Sequence, residues 1–140
     1  MIENALRIRA ATPDDLDRIA AFIAPFVEVG KLLPRTLREL EELKDYLFIA
    51  EYQQAIVGTA ALEIYSPKLA EVRSLAVSPT VQGLGVGKRL VAACVEVAKE
   101  QQVLEVMAIT SSDDFFKACG FDWTLPGERK ALFYQTRDEA

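Results

Sequence analysis

The 140 residues include 16 Lys and Arg against 21 Asp and Glu, a net charge of -5, with 51% hydrophobic residues and no histidine. That size and balance suit one globular domain over residues 1–140, and the negative charge argues against a protein that coats nucleic acid. Without histidine, Ser-His-Asp and Cys-His machinery and His-ligated metal sites are excluded, so any general base is a carboxylate, a tyrosine, a lysine or a water chain.

The opening "MIENALRIRA" has no signal-peptide core, and no apolar run approaches the roughly 18–20 residues of a membrane span. The expected location is the cytoplasm, with no membrane partner. Cys94 and Cys119 lack metal-ligand spacing and read as free thiols, and no metal is expected.

Along the chain, "LRIRAA" (6–11) alternates as a first strand. Thr12 then caps a helix "PDDLDRIAAFI" that places Leu16, Ile19, Ala20 and Ile23 on one face. Pro25 is expected to end it, leaving an irregular stretch "FVEVGKLLPR" before Thr36 caps a second helix, "LRELEELKDY". "YLFIAEY" (46–52) and "AIVGTAALEIY" (55–65) read as a hairpin about Gln53-Gln54, and "LAEVRSLAV" (69–77) as the next strand. A helix over about 86–101, a strand "VLEVMAIT" (103–110) and a short helix ending at Gly120 follow. "FDW" (121–123) and "KALFYQT" (130–136) read as final short strands. The order β-α-α-β-β-β-α-β-α-β-β describes a mixed α/β domain.

The stretch "SPTVQGLGVGKRL" sets Gly83, Gly85 and Gly87 between a strand and a helix. It is not a P-loop: Gln82 stands where the first glycine of that motif belongs, and Arg89 follows Lys88 in place of Ser or Thr. It is not a dinucleotide fingerprint either, because the third glycine would fall on Lys88 or Leu90. What remains is Gln82-x-x-Gly85-x-Gly87 opening a helix, whose unpaired amides and dipole favour an anion. Lys88 and Arg89 can add charge to such a site, while a tight turn with no ligand is the plain alternative.

The same segment resembles the acyl-CoA-binding motif Q/R-x-x-G-x-G/A of the GCN5-related N-acetyltransferases (GNAT). "IRAATPDDL" is similar to that family's first strand and helix, and "FFKACGF" to its segment near the C-terminus. The resemblance implies a mostly antiparallel, twisted central sheet flanked by helices. It implies that acetyl-CoA is the cosubstrate, with Gln82 in its site and its pyrophosphate held by the backbone amides of Gly83, Leu84, Gly85, Val86, Gly87 and Lys88. Leu75, Ala76 and Val77 would pair with the pantetheine arm like an added strand.

In the family, a glutamate at the distance of Glu71 before the turn acts as base. Alternation sets Glu71, Arg73, Leu75 and Val77 on one strand face, and a structural ion pair of Glu71 with Arg73 or Lys68 is the alternative. The family's tyrosine acid falls at Phe116, which has no proton to give, so the acid stays unassigned among Tyr65, Tyr134 and solvent. Ser111 precedes Phe116 where the family sets a polar group on the coenzyme, and Ser111 or Ser112 can equally be a helix N-cap.

"LLPRTLREL", "AEVRSLAV" and "LPGERKALFY" are further similar to the acetyltransferase domain of N-acetylglutamate synthases. That similarity implies L-glutamate as the amine acceptor, within arginine synthesis, with Arg35, Lys68 and Arg137 on its carboxylates. Two carboxylates require convergent cations, and arginine grips each one bidentately, although each cation taken singly also reads as a surface charge. The synthases' kinase-like domain is absent from these residues, so a stand-alone form is expected, as a homodimer or with a separate regulatory subunit. Another small amine, a protein N-terminus, and a non-catalytic coenzyme A-binding module are the competing readings.

Overall fold

The computed structural model describes residues 5–123 together with Leu132, Tyr134 and Thr136. The chain divides into two compact units, Met1–Thr110 and Ser111–Ala140. In the first, strands β1 (Arg7–Ala10), β2 (Leu47–Tyr52), β3 (Ala55–Ser66), β4 (Leu69–Val77) and β5 (Glu105–Met107) lie in sheet order β1-β2-β3-β4-β5. All neighbours are antiparallel except β4 and β5, which are parallel. Helices α1 (Leu16–Glu28) and α2 (Leu37–Leu43) precede β2, and α3 (Val86–Glu100) joins β4 to β5. In the second unit, α4 covers Asp113–Ala118.

The sheet is sandwiched because its strands are apolar on both faces. Leu47 and Ile49 of β2 and Ala61 of β3 meet Leu16, Ile19 and Ile23 of α1 and Leu40 and Leu43 of α2 in one core cluster. Burial of each of these large aliphatic side chains is worth about 1.5–3 kcal/mol. On the opposite face α3 buries Val86, Leu90, Val91, Cys94 and Ala98. A Cβ at Gly58 of β3 would lie 2.9 Å from Leu90 Cδ1 and 3.3 Å from Ala50 Cβ, so this glycine lets α3 seat close against the sheet. Burial also pushes the Cys94 thiol up to about 12, which makes it an inert core residue. No helix among the described residues is long and apolar enough to cross a membrane.

The entry to α1 is tied to the sheet by charge. A 3₁₀ turn, Pro13–Asp15, leads into the helix with Thr12 and Asp15 forming a capping box. Asp15 is buried and takes a bidentate contact from Arg9 at 2.8 and 2.9 Å, while Arg9 also holds Glu51. The hydrogen bonds from Arg9 outweigh desolvation and hold the Asp15 carboxyl well below its usual value of 3.8. A depressed folded pKa contributes stability that is fully present above the unfolded value near 4 and is lost as pH falls through the folded one. Asp15→Asn is therefore expected to destabilise the protein by about 2 kcal/mol at neutral pH. In urea unfolding, the gap to the parent should close progressively below about pH 4.

Several sequence expectations need correction. α1 does not stop at Pro25 but runs to Glu28, because the exposed last turn tolerates a missing amide donor when Pro25 O still accepts from Val29 N at 3.3 Å. The expected strand over 103–110 shrinks to Glu105–Met107, the part that pairs with β4. Residues 121–123 form no strand. The expected strand over 130–136 falls largely outside the described residues.

Candidate active site

The decisive irregularity is in β4. Opposite β3, Thr59 pairs with Ala76 and Ala61 with Arg73, so two residues of β3 span three of β4. The extra residue is accommodated at Ser74, which adopts a left-handed φ of 54°. The buried Thr59 hydroxyl donates to the Ser74 carbonyl at 2.9 Å and holds the bulge in place.

This corrects the alternation expected from the sequence. Glu71 and Arg73 share the face that carries α1 and α2, through their pairs Glu63 and Ala61. Val77, opposite Gly58, lies on the α3 face, while Ala76 opposite Thr59 returns to the first.

Glu71 stands where β4 and β5 part. The pairing of those strands covers Leu69–Glu71 against Glu105–Met107 and ends with Glu71 opposite Met107. Beyond it, residues 72–77 of β4 have no partner strand on that side among the described residues. An extended chain with amide groups can add there by ordinary β pairing. Leu75, Ala76 and Val77 all lie on this open edge.

The Glu71 side chain is only 10% exposed, yet hydrogen-bonded. Tyr65 Oη donates to Glu71 Oε1 at 2.5 Å, and Arg73 Nε approaches the same oxygen at 3.9 Å. Arg73 Nη1 bonds Glu63 Oε1 at 3.1 Å, which offsets the repulsion of two carboxylates placed directly across the strands. Burial, then the hydrogen bond to Glu71, pushes the Tyr65 phenol above its ordinary value. Arg73 is raised too, because Tyr65 and the carboxylates outweigh its own desolvation.

After β4, a 3₁₀ turn Pro79–Val81 delivers the chain to Gln82, whose side-chain amide reaches Val77 O at 3.5 Å. Gly83 and Gly85 have φ of 85° and 77°, a region that L side chains rarely adopt, so the turn requires glycine at both. Gly85 is the N-cap of α3 and has no side chain to cap it. The first intrahelical bond is Arg89 N to Gly85 O, leaving the amides of Val86, Gly87 and Lys88 for an outside acceptor. Buried Val86 offers only its backbone, whereas Lys88 is exposed. An uncapped amide cradle next to an open strand edge fits a pyrophosphate with an amide-bearing arm, the chemistry of coenzyme A.

The predicted acceptor cations differ in setting. Arg35 precedes the α2 capping box, in which Glu39 N donates to Thr36 Oγ1 at 3.1 Å and Glu39 Oε1 accepts from Thr36 N at 3.0 Å. The Arg35 side chain is only 10% exposed, and its ion pair is a 3.5 Å approach to Glu39 Oε2. Its Nε is buried without a hydrogen-bond partner, the one side-chain atom of that kind among the described residues. Lys68 is exposed in the β3–β4 turn, its backbone N bonded to Ser66 Oγ at 3.1 Å, and it forms no ion pair with any described residue. Glu71 therefore pairs with Tyr65 and Arg73, not with Lys68. Arg137 lies outside the described residues.

In the second unit Ser112 is the N-cap of α4, and Ser111 precedes it. Phe116 is 8% exposed, with edge-to-face contacts to Phe115 at 5.0 Å and Phe121 at 5.2 Å. It is a packing residue of that unit.

The Tyr65–Glu71 bond and the Ser74 bulge were missed by the sequence reading. For the first, a regular two-residue turn at Pro67-Lys68 would set Ile64, not Glu63, across from Glu71; the register shift between Ile64 and Ser66 puts Glu63 there and has no signal in the sequence. For the bulge there was none either, because "VRSLAV" contains no glycine at the left-handed position.

The model of the acetyltransferase (GNAT) family matches residues 15–121. An N-acetyltransferase of Chlorobaculum tepidum is 33% identical over 115 residues, covering 81% of this chain and 74% of that protein. An amino-acid acetyltransferase of Aeromonas salmonicida is 34% identical over 137 residues, covering 94% of this chain but 31% of its own length. The structure of N-acetylglutamate synthase from Neisseria gonorrhoeae, complexed with coenzyme A and N-acetyl-glutamate, superposes with a TM-score of 0.73. Its identity is 33%, and the match covers 81% of this chain and 27% of that one. The chain thus spans less than a third of two of these relatives. A glycine turn with bare amides, an open β4 edge and a match running through both units have one common explanation: the chain belongs to the acetyltransferase (GNAT) family.

Proposed function

We propose that residues 1–140 form one N-acetyltransferase domain that moves acetyl from acetyl-CoA to the α-amino group of L-glutamate, as a cytoplasmic enzyme of arginine synthesis. The observation that carries the acceptor is Arg35. A buried guanidinium Nε without a partner costs about 1–3 kcal/mol. A carboxylate seated on this guanidinium offsets that cost with a charge-assisted bond. The names of similar proteins, amino-acid acetyltransferase and N-acetylglutamate synthase, support an amino-acid acceptor.

In this reading the amides of Gly83, Leu84, Val86, Gly87 and Lys88 hold the pyrophosphate of the coenzyme, with Gln82 closing the turn. The β4 edge at Leu75, Ala76 and Val77 aligns the pantetheine, and Ser111 contacts the coenzyme while Phe116 packs behind that segment. Bound acetyl-CoA supplies an activated acetyl thioester. Arg35, Lys68 and Arg137 hold the acceptor carboxylates, so that binding energy orients the amine. Glu71 takes the proton that the ammonium must lose before nitrogen can attack. With a phenyl ring at position 116, solvent protonates the departing thiolate, whose ordinary pKa lies near 8.5.

The test is thiol release from acetyl-CoA across a panel of free amino acids, polyamines and peptide N-termini. Selective turnover with L-glutamate is expected. Selective turnover with another amine overturns the acceptor while leaving the coenzyme site in place. Coenzyme binding without turnover on any amine overturns the enzyme reading in favour of a binding module, for which the missing tyrosine at position 116 is the supporting feature.

A further inference from the structure

Tyr65 belongs to none of the roles assigned above, yet it makes a 2.5 Å contact with Glu71, through Oε1. The direction of that bond is fixed by its neighbour. Arg73 has only donors, and its Nη1 lies 3.3 Å from Tyr65 Oη, so the phenol accepts from Arg73 and its single proton goes to Glu71. Arg73 is itself held by Glu63 at 3.1 Å. The result is an ordered chain from Glu63 through Arg73 and Tyr65 to Oε1 of Glu71. Oε2 of Glu71 bonds to no described residue.

Resting on the reading of Glu71 as base, we propose that Tyr65 is a positioning residue for the proton transfer. Its hydroxyl occupies Oε1 and fixes the carboxylate plane, so that Oε2 is the oxygen presented to the acceptor ammonium. The placement fits the task. Tyr65 lies at the end of β3, 47% exposed, while the carboxylate it bonds is buried at the strand fork. Its hydroxyl, bonded to Oε1, holds the rotamer of Glu71. A carboxylate held at one oxygen loses less orientational freedom when the substrate arrives, which is the benefit of a preorganised base.

The decisive experiment is a double-mutant cycle on kcat with Tyr65→Phe, Glu71→Gln and the double variant. Tyr65→Phe alone is expected to lower kcat by about 10-fold, the scale of one hydrogen bond to a charged group, with the KM for acetyl-CoA unchanged. In the Glu71→Gln background the same change is expected to have no further effect. An equal loss in both backgrounds, or no loss in either, overturns the positioning role. An unchanged kcat for Glu71→Gln overturns the base reading itself, so the two failures are distinguishable.

A second measurement does not depend on the fold of the tyrosine variant. Alkaline absorbance titration of the four tyrosines reads the same bond. Glu71→Gln removes the carboxylate charge beside the Tyr65 hydroxyl and should move the titration of one phenol downward. A titration identical to the parent's overturns the proposal.

Discussion

Glu71→Gln lowers kcat by about 100-fold or more and leaves the KM for acetyl-CoA within about twofold. The amide keeps the size of the side chain and still accepts from Tyr65, so the strand fork is preserved and only the proton acceptor is lost. The coenzyme contacts assigned to the β4 edge and to the amides of α3 are backbone contacts that do not involve this side chain. Steady-state thiol release at saturating acceptor measures the effect. An unchanged kcat would reduce Glu71 to the partner of Tyr65 and Arg73 that the hydrogen bonds already describe.

Arg35→Ala raises the KM for L-glutamate by about 30-fold or more, the scale of about 2–3 kcal/mol for a charge-assisted contact in a buried site. The coenzyme KM should stay unchanged. Arg35→Lys should fall between the two proteins, because an ammonium keeps the charge but loses the planar fork. The loss is expected to exceed that at Lys68, which is exposed and whose charge is screened by water. A thermal melt separates this from a folding effect. Arg35 has one long ion pair, to a Glu39 that already serves the α2 cap, and a buried Nε without a partner, so its removal should not lower the melting temperature. A shift in the coenzyme KM alone would move Arg35 out of the acceptor pocket.

Much of this arrangement was legible in the sequence. Apolar spacing of three and four residues located Leu16, Ile19 and Ile23 on the buried face of α1, and short apolar runs bounded by turns located β2, β3 and β4. These patterns survive because a helix on the sheet buries one side and a strand between two helix layers buries both. The glycine turn was readable for a local reason as well: Gly83 and Gly85 occupy left-handed conformations that the turn itself imposes. Local chemistry also identified Thr12 and Thr36 as N-caps.

What escaped the sequence lay wherever the outcome depended on residues far apart in the chain. Ser74 accepts a left-handed backbone because Thr59, 15 residues away, bonds its carbonyl, and that one extra residue sends Val77 to the opposite face from Glu71. The helix passes Pro25 because its final turn is exposed, and β5 is short because pairing with β4 stops at Glu71. The burial of Arg35 Nε and the chain from Glu63 through Tyr65 to Glu71 follow from strand register and helix packing. Periodicity determined which segments fold and which faces turn inward. Only tertiary structure decided where β4 bends, which edge it leaves open and which oxygen of Glu71 stays free, because each of these depends on hydrogen bonds made between strands.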